Sequence, residues 1–315
     1  MSMTLSQCSR YLNYLCIYYF QNHRGWLLHL TKNYSNSKMF LTFFYLQVPR
    51  NCTIAHQQRI APNPLSGIVT VTEVPRPSIP RPEITTYHTV PQELQSVYNS
   101  ILCTRSESDE FEQCTRSQSE SSHWKRLRHN RLTSSSFKNI CARRKDHKLL
   151  AQRLITGKTL QTAAMSRGLE LEPKAAEVYA NNKGANCYPI GLVINPSCPH
   201  LATSPDRLIY DPNAPEDQKW GLLEIKCPMK TSYKDCDYLR NRANNNEFTL
   251  KKNHEYYYQI TGQLGLTGFT WCDFMVFCVD DYLIERITFD ENLFEEMKQK
   301  LDLFYVEHFL PCLKM

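Results

Sequence analysis

Ser204-Pro205-Asp206-Arg207-Leu208-Ile209-Tyr210, followed after a short break by Gly221-Leu222-Leu223-Glu224-Ile225-Lys226-Cys227-Pro228, decides the reading of this chain. One carboxylate is followed, about one hairpin later, by a carboxylate and a lysine two residues apart. Side chains on a strand alternate faces, so Glu224 and Lys226 point one way while Leu223 and Ile225 point into a core. Asp206 and Glu224 supply the hard oxygen ligands that a divalent cation such as magnesium prefers, and such an ion keeps several waters for chemistry. One metal activates a water, and a second stabilises the leaving oxygen. Lys226, a compact cation on a flexible stem, orients that water or meets charge on a phosphate. The plain alternative is a surface Asp-Arg turn and a solvated Glu-Lys strand.

Three more stretches bear on the choice. In Gly168-Leu169-Glu170-Leu171-Glu172-Pro173, Glu172 stands where a helix starts at or kinks around Pro173, and it offers a third carboxylate. In Trp124 to Ser136, the arginines Arg128 and Arg131 precede a hydroxyl cluster that includes Ser135, a combination that binds phosphate. From Trp124 to Arg153 the chain holds ten Lys/Arg against one Asp, interleaved with Trp124, Leu127, Leu132 and Phe137, which implies a folded basic surface rather than a tail. In Tyr256-Tyr257-Tyr258-Gln259-Ile260-Thr261-Gly262-Gln263, the two glutamines lie one turn apart and share a helix face. Each stretch alone reads equally well as exposed helix charge or core packing.

Taken in order, these blocks resemble the YqaJ-type viral recombinase family, which includes the bacteriophage lambda exonuclease and belongs to the PD-(D/E)xK nuclease superfamily. The resemblance runs from about Thr115 to the end: Trp-x3-Arg with Thr-x-Ser, Gly-x3-Glu, Ser-Pro-Asp, Leu-Glu-Ile-Lys-Cys-Pro and Tyr-x-Gln. It implies an α/β fold, a restriction-endonuclease-like core with a central mixed β-sheet flanked by helices. It implies that Asp206, Glu224, Glu172 and the carbonyl of Ile225 hold Mg²⁺, with Mn²⁺ able to substitute, that Lys226 is the catalytic lysine, and that Gln259 belongs to the same site. Arg128 and Ser135 match residues that hold the 5′-phosphate of a DNA end. Thr261 stands at the family's second glutamine, unless Gln263 takes that role from the next turn. The activity implied is 5′-to-3′ exonuclease action on duplex DNA ends. A structure-specific endonuclease on the same fold and a silent nucleic-acid-binding module are the alternatives.

The remainder of the chain frames this module. At 315 residues, with net charge +6, it has room for one large domain or two small ones. Its 13 irregularly spaced cysteines form no CxxC pair and fit reduced thiols in nucleus or cytoplasm. No run of about 20 apolar residues predicts a membrane span. Residues 1–61 are an extension without an assigned fold, 62–92 a proline-rich extended linker, and 93–315 the nuclease-like domain. Helices are predicted over Gln92–Cys103, Thr159–Ala180 and Glu255–Leu266, and from the Asp290 cap to Phe309. Strands are predicted over Tyr188–Ile194, Leu208–Tyr210, Leu222–Lys226 and Phe274–Val279, the last paired with Tyr282–Thr288 across an Asp280-Asp281 turn. The oligomeric state is left open.

Overall fold

A computed structural model describes residues 26–32, 39–45, 74–157, 163–242 and 247–314. The chain divides into two compact units, Met1–Arg59 and Ile60–Met315. What is described of the first is an antiparallel pair, β1 (Trp26–Lys32) and β2 (Met39–Tyr45), in register from Trp26↔Tyr45 to Lys32↔Met39. Among the described residues no helix is long and apolar enough to cross a membrane.

The second unit begins with helices: α1 (Gln95–Asn99), α2 (Arg105–Cys114), α3 (Ser122–His129), the short strand β3 (Leu132–Thr133), α4 (Phe137–Cys141), α5 (His147–Thr156) and α6 (Ala163–Lys183). Strands β4 (Asn186–Pro189), β5 (Val193–Ile194), β6 (Leu201–Thr203), β7 (Arg207–Tyr210) and β8 (Trp220–Lys226) follow. After a β9 (Leu239–Arg242) and β10 (Glu247–Leu250) hairpin come α7 (Glu255–Thr267), β11 (Trp271–Phe277), β12 (Tyr282–Thr288), α8 (Glu291–Phe304), a π-turn and α9 (Leu310–Leu313). The main sheet is mixed, in the order β12-β11-β8-β7-β4, with β8 and β11 parallel and every other pair antiparallel. The crossover joining the two parallel strands contains α7, so the sheet's connectivity itself lays that helix on the β8 face (a parallel pair needs such a crossover).

Alternation on β8 splits its residues as the sequence predicts. Leu223 and Ile225 pack with Ala175, Ala176 and Tyr179 of α6, whereas Leu222 packs with Ile260 and Leu264 of α7. Burying both faces explains why β8 is almost continuously apolar apart from its two charged residues. Asp290 caps α8 by accepting from the Leu293 amide at 3.2 Å, and Met297, Leu301 and Phe304 are buried at helical spacing.

Two expectations need revision. The predicted strand Tyr188–Ile194 is two strands in two sheets, β4 and β5. The break falls at Gly191, whose amide donates to Glu112 Oε1 at 3.0 Å and where a Cβ would stand 1.9 Å from the Glu112 carbonyl oxygen, so only glycine admits α2 there. The polar stretch after Ser106 carries α2, opened by a Thr104–Glu107 capping box. The described part of the proline-rich segment, residues 74–91, lacks regular structure but is a strap fastened to the domain rather than a spacer. Ile79 is buried, the Arg81 amide donates to Thr267 O at 2.8 Å, and the Arg81 guanidinium donates to Ile194 O at 3.1 Å and Ser108 O at 3.2 Å while pairing with Asp109 at 2.5 Å. Farther along, Asp302 of α8 gathers His200 Nε2 at 2.7 Å, Lys298 Nζ at 2.6 Å and the Tyr87 amide at 3.0 Å into one buried group.

Truncating Arg81 deletes its buried bonds to the Ile194 and Ser108 carbonyls and leaves Asp109 without its cation. Arg81→Ala therefore lowers unfolding free energy by roughly 2–3 kcal/mol. Urea denaturation measures it, and a loss below about 0.5 kcal/mol contradicts the strap's fastening.

Candidate active site

Glu224 is the centre of the site. It is 1% exposed, in mid-strand on the face covered by α7. Two α7 side chains meet it: Gln259 Nε2 donates to Oε1 at 2.6 Å, and Gln263 Nε2 donates to Oε2 at 2.6 Å. Lys226 Nζ, two residues along the strand, donates to Oε1 at 2.6 Å and lies 3.5 Å from Gln259 Oε1. The Tyr256 ring lies under the same ammonium at 4.6 Å. Tyr256, Gln259 and Gln263 are spaced by three and four residues and so share one helix face. Gln263 is thus seated beside the carboxylate, while Thr261, buried on another face, has no hydrogen-bond partner for its hydroxyl.

Asp206 lies at the start of β7, where its Oδ2 accepts from the Ile225 amide at 2.6 Å. What Ile225 turns to Asp206 is this N–H. Burial first, then the charges of Glu224 and Glu172, hold the Asp206 carboxyl well above the usual carboxylate range, against the opposite pull of Lys226 and the Ile225 amide. Lys226 is also raised, which for an amine favours the charged form. Burial alone lowers it, but Glu224 and Asp206 more than offset that, and its pKa is raised, so it is a cation at neutral pH. Glu172 is on α6, one residue before Pro173, and its Oε1 accepts from Arg207 at 2.7 Å.

The donor set fits magnesium or manganese. Glu224 and Glu172 are near enough to Asp206 for their charges to add to the burial that raises its carboxyl. Among the described residues no three His, Cys, Asp or Glu side chains enclose an ion by themselves. Magnesium needs no such cage, since one or two carboxylates, waters and substrate phosphate suffice.

The residues that the sequence points to for phosphate are Arg128, Arg131 and Ser135. Arg128 stacks over the Trp124 ring at 4.0 Å, and its Nη1 lies 3.5 Å from Ser204 Oγ, which also accepts from Trp124 Nε1 at 2.9 Å. Burial lowers the Arg128 pKa to about 10, leaving a charged, partly dehydrated guanidinium. Ser135 is exposed, with its hydroxyl 3.3 Å from that of Thr133. Its neighbour Ser134 bonds Thr203 at 2.8 Å, and a Cβ on Gly262 would stand 2.6 Å from the Phe137 ring, so this turn lies directly against α7. Thr203 and Ser204 lead straight into Asp206, and the two clusters adjoin. Arg131 departs from the expectation. It is 7% exposed, and its guanidinium is consumed by the carbonyls of Pro199, Leu127 and Ile101, each at 2.8 Å, so it fastens the core and is not available to a phosphate. Ser204 and Tyr256 were missed in the sequence, although helical spacing from Gln259 points to Tyr256.

With this geometry in hand, the comparisons with known proteins fall into place. Residues 123–270 match the model of the YqaJ-like viral recombinase domain, a span that holds every residue of both clusters. That span is just under half of the chain, and the fold around it is α/β, a mixed sheet flanked by helices. No curated protein sequence matches it. Among solved structures it is similar to an alkaline exonuclease from Laribacter hongkongensis, at 27% identity over 62% of this chain and 96% of that one, with TM-score 0.49. It is also similar to a phage-related exonuclease from Haemophilus somnus, at 14% identity over 60% and 97%, TM-score 0.44. A SOX–DNA complex matches at 13% identity over 63% and 69%, TM-score 0.43.

The raised Asp206 carboxyl carries a stability cost with a defined sign. The folded chain binds more protons than the unfolded one between the ordinary value of 3.8 and the raised value, so this term weakens folding as pH climbs through that window. In chelator, Asp206→Asn removes the loss. Its melting temperature exceeds that of the unsubstituted chain at about pH 8, and the gap narrows toward about pH 4. A gap that does not change with pH refutes the assignment.

Proposed function

We propose that the chain is a magnesium-dependent deoxyribonuclease that acts as a 5′-to-3′ exonuclease on duplex DNA ends. The observation that carries this reading is the junction at Ser204. The hydroxyl that Arg128 and Trp124 both reach stands two residues before Asp206, so an anion-binding arginine is built onto the strand entry that carries a carboxylate. The YqaJ-like domain match supports the same reading.

Asp206, Glu224 and Glu172, with the Ile225 carbonyl beside them, would hold the ion. When bound, magnesium lowers the pKa of a water and neutralises charge on the scissile phosphate. The chain's own residues do the rest. Lys226, charged throughout the neutral range, directs a hydrogen bond at the attacking water or the phosphate oxygen. Gln259 accepts from or lies beside that ammonium while donating to Glu224, so it fixes the two relative to each other. Arg128 grips the terminal 5′-phosphate with its forked donors, and Ser135 adds an exposed hydroxyl. That grip selects ends over continuous strands.

The test is digestion of linear duplex bearing 5′-phosphate or 5′-hydroxyl, with Mg²⁺ or EDTA, beside closed circular plasmid. The expected outcome is Mg²⁺-dependent loss of the 5′-phosphorylated linear duplex alone. Lys226→Ala lowers kcat at least about a hundredfold with DNA affinity nearly unchanged. Arg128→Ala erodes the preference for the 5′-phosphate, by about tenfold or more, since it removes a charge-assisted fork. Cutting of the closed circle assigns an endonuclease instead, and full activity in the Lys226 variant eliminates the proposed site.

A further inference from the structure

Arg207 has no part in the chemistry above, yet it stands inside the site. It directly follows Asp206 and opens β7. Its Nη1 donates both to Glu172 Oε1 at 2.7 Å and to the Asp206 carbonyl at 2.6 Å. The two paired side chains are 20% and 25% exposed, so the contact is reachable from solvent and from a bound strand. The pairing has a chemical consequence. Lys226 is matched to Glu224 and Arg207 to Glu172 Oε1, so an ion that binds Glu172 meets a carboxylate whose charge is already paired with a cation. A divalent ion and the guanidinium therefore compete for one carboxylate.

We propose, resting on the metal-dependent reading above, that Arg207 is a positioning residue that couples ion binding to DNA binding by holding Glu172 until a DNA phosphate draws the guanidinium away. The guanidinium has five donors in a planar fork, of which Nη1 alone serves Glu172 and the Asp206 carbonyl. A phosphate can engage it bidentately, and a phosphate is a better partner for such a fork than a single carboxylate oxygen. Once the arginine is drawn off, Glu172 faces the ion without a rival. The coupling is reciprocal by thermodynamic necessity: whatever factor DNA adds to ion affinity, the ion adds to DNA affinity. An ion-first encounter without DNA then yields a loosely held ion, and the site is completed only on substrate.

The test reads Mn²⁺ binding directly, by the loss of the free-ion EPR signal, on the full chain with and without a 5′-phosphorylated duplex protected by phosphorothioate linkages. In the unsubstituted chain the duplex tightens Mn²⁺ binding by about fivefold or more, the lower end of ordinary coupling. Arg207→Ala tightens Mn²⁺ by a similar factor without DNA, and the added duplex then changes little. In a Glu172→Gln background, whose amide oxygen still accepts from Arg207 but offers the ion no charge, the same Arg207→Ala change has little effect on Mn²⁺; this closes a double-mutant cycle. Circular dichroism and melting checks establish that each variant is folded.

The outcomes separate the two readings. If Asp206→Asn weakens Mn²⁺ binding but Arg207→Ala leaves it unchanged, the ion site stands and the Arg207 proposal is wrong. If Asp206→Asn leaves Mn²⁺ binding unchanged, the ion site itself is wrong and the proposal falls with it. Weaker Mn²⁺ binding in Arg207→Ala, with Glu172 intact, also overturns it, since it makes the arginine a support for the ion and not a competitor.

Discussion

A carboxylate buried in mid-strand sets the terms for the rest of the molecule. Taking Glu224 out of water is costly unless its oxygens are met by donors, and an unpaired buried charge costs several kcal/mol. Here both oxygens are met, by Gln259, Gln263 and Lys226. Two of those donors come from α7, which lies on the sheet because β8 and β11 are parallel and a crossover must join them. The topology of the sheet and the satisfaction of one charge are thus the same requirement. Releasing α7 would leave Glu224 with Lys226 as its one remaining side-chain donor and Oε2 without any.

The second organising feature is the approach to Asp206. Strand β6 ends at Thr203, and the three residues from Thr203 to Pro205 bring the chain to the carboxylate. Ser134 binds Thr203, and Arg128 and Trp124 reach Ser204, so the basic helix α3 and the serine turn after β3 are fixed to the same short segment. Gly262 lets that turn close against α7. Arg128 and Ser134 are therefore tied to the short segment that leads into Asp206.

Much of this was legible in the residues. The Asp206, Glu224 and Lys226 spacing gave a strand with opposed faces, and the run from Glu255 gave a helix with both glutamines on one side. The Asp290 cap and the Asp280-Asp281 turn were visible as local chemistry. What escaped was decided by tertiary contacts. Arg131 and Arg128 look alike in sequence, and only the carbonyls of Ile101, Leu127 and Pro199 closing on the former separate a core fastener from an arginine with donors to spare. The split between β4 and β5 depends on α2 approaching Gly191, and the strap character of residues 74–91 depends on partners more than a hundred residues away for Arg81 and Tyr87. The Thr104–Glu107 capping box was a local signal that could have been read and was overlooked.

The most direct measurement is a diffraction experiment at the manganese absorption edge on crystals soaked in MnCl₂. The account predicts an anomalous peak within coordination distance, about 2–2.3 Å, of carboxylate oxygens of both Asp206 and Glu224, on the side that Lys226 faces. A strong peak elsewhere, with none at these two residues, would contradict it.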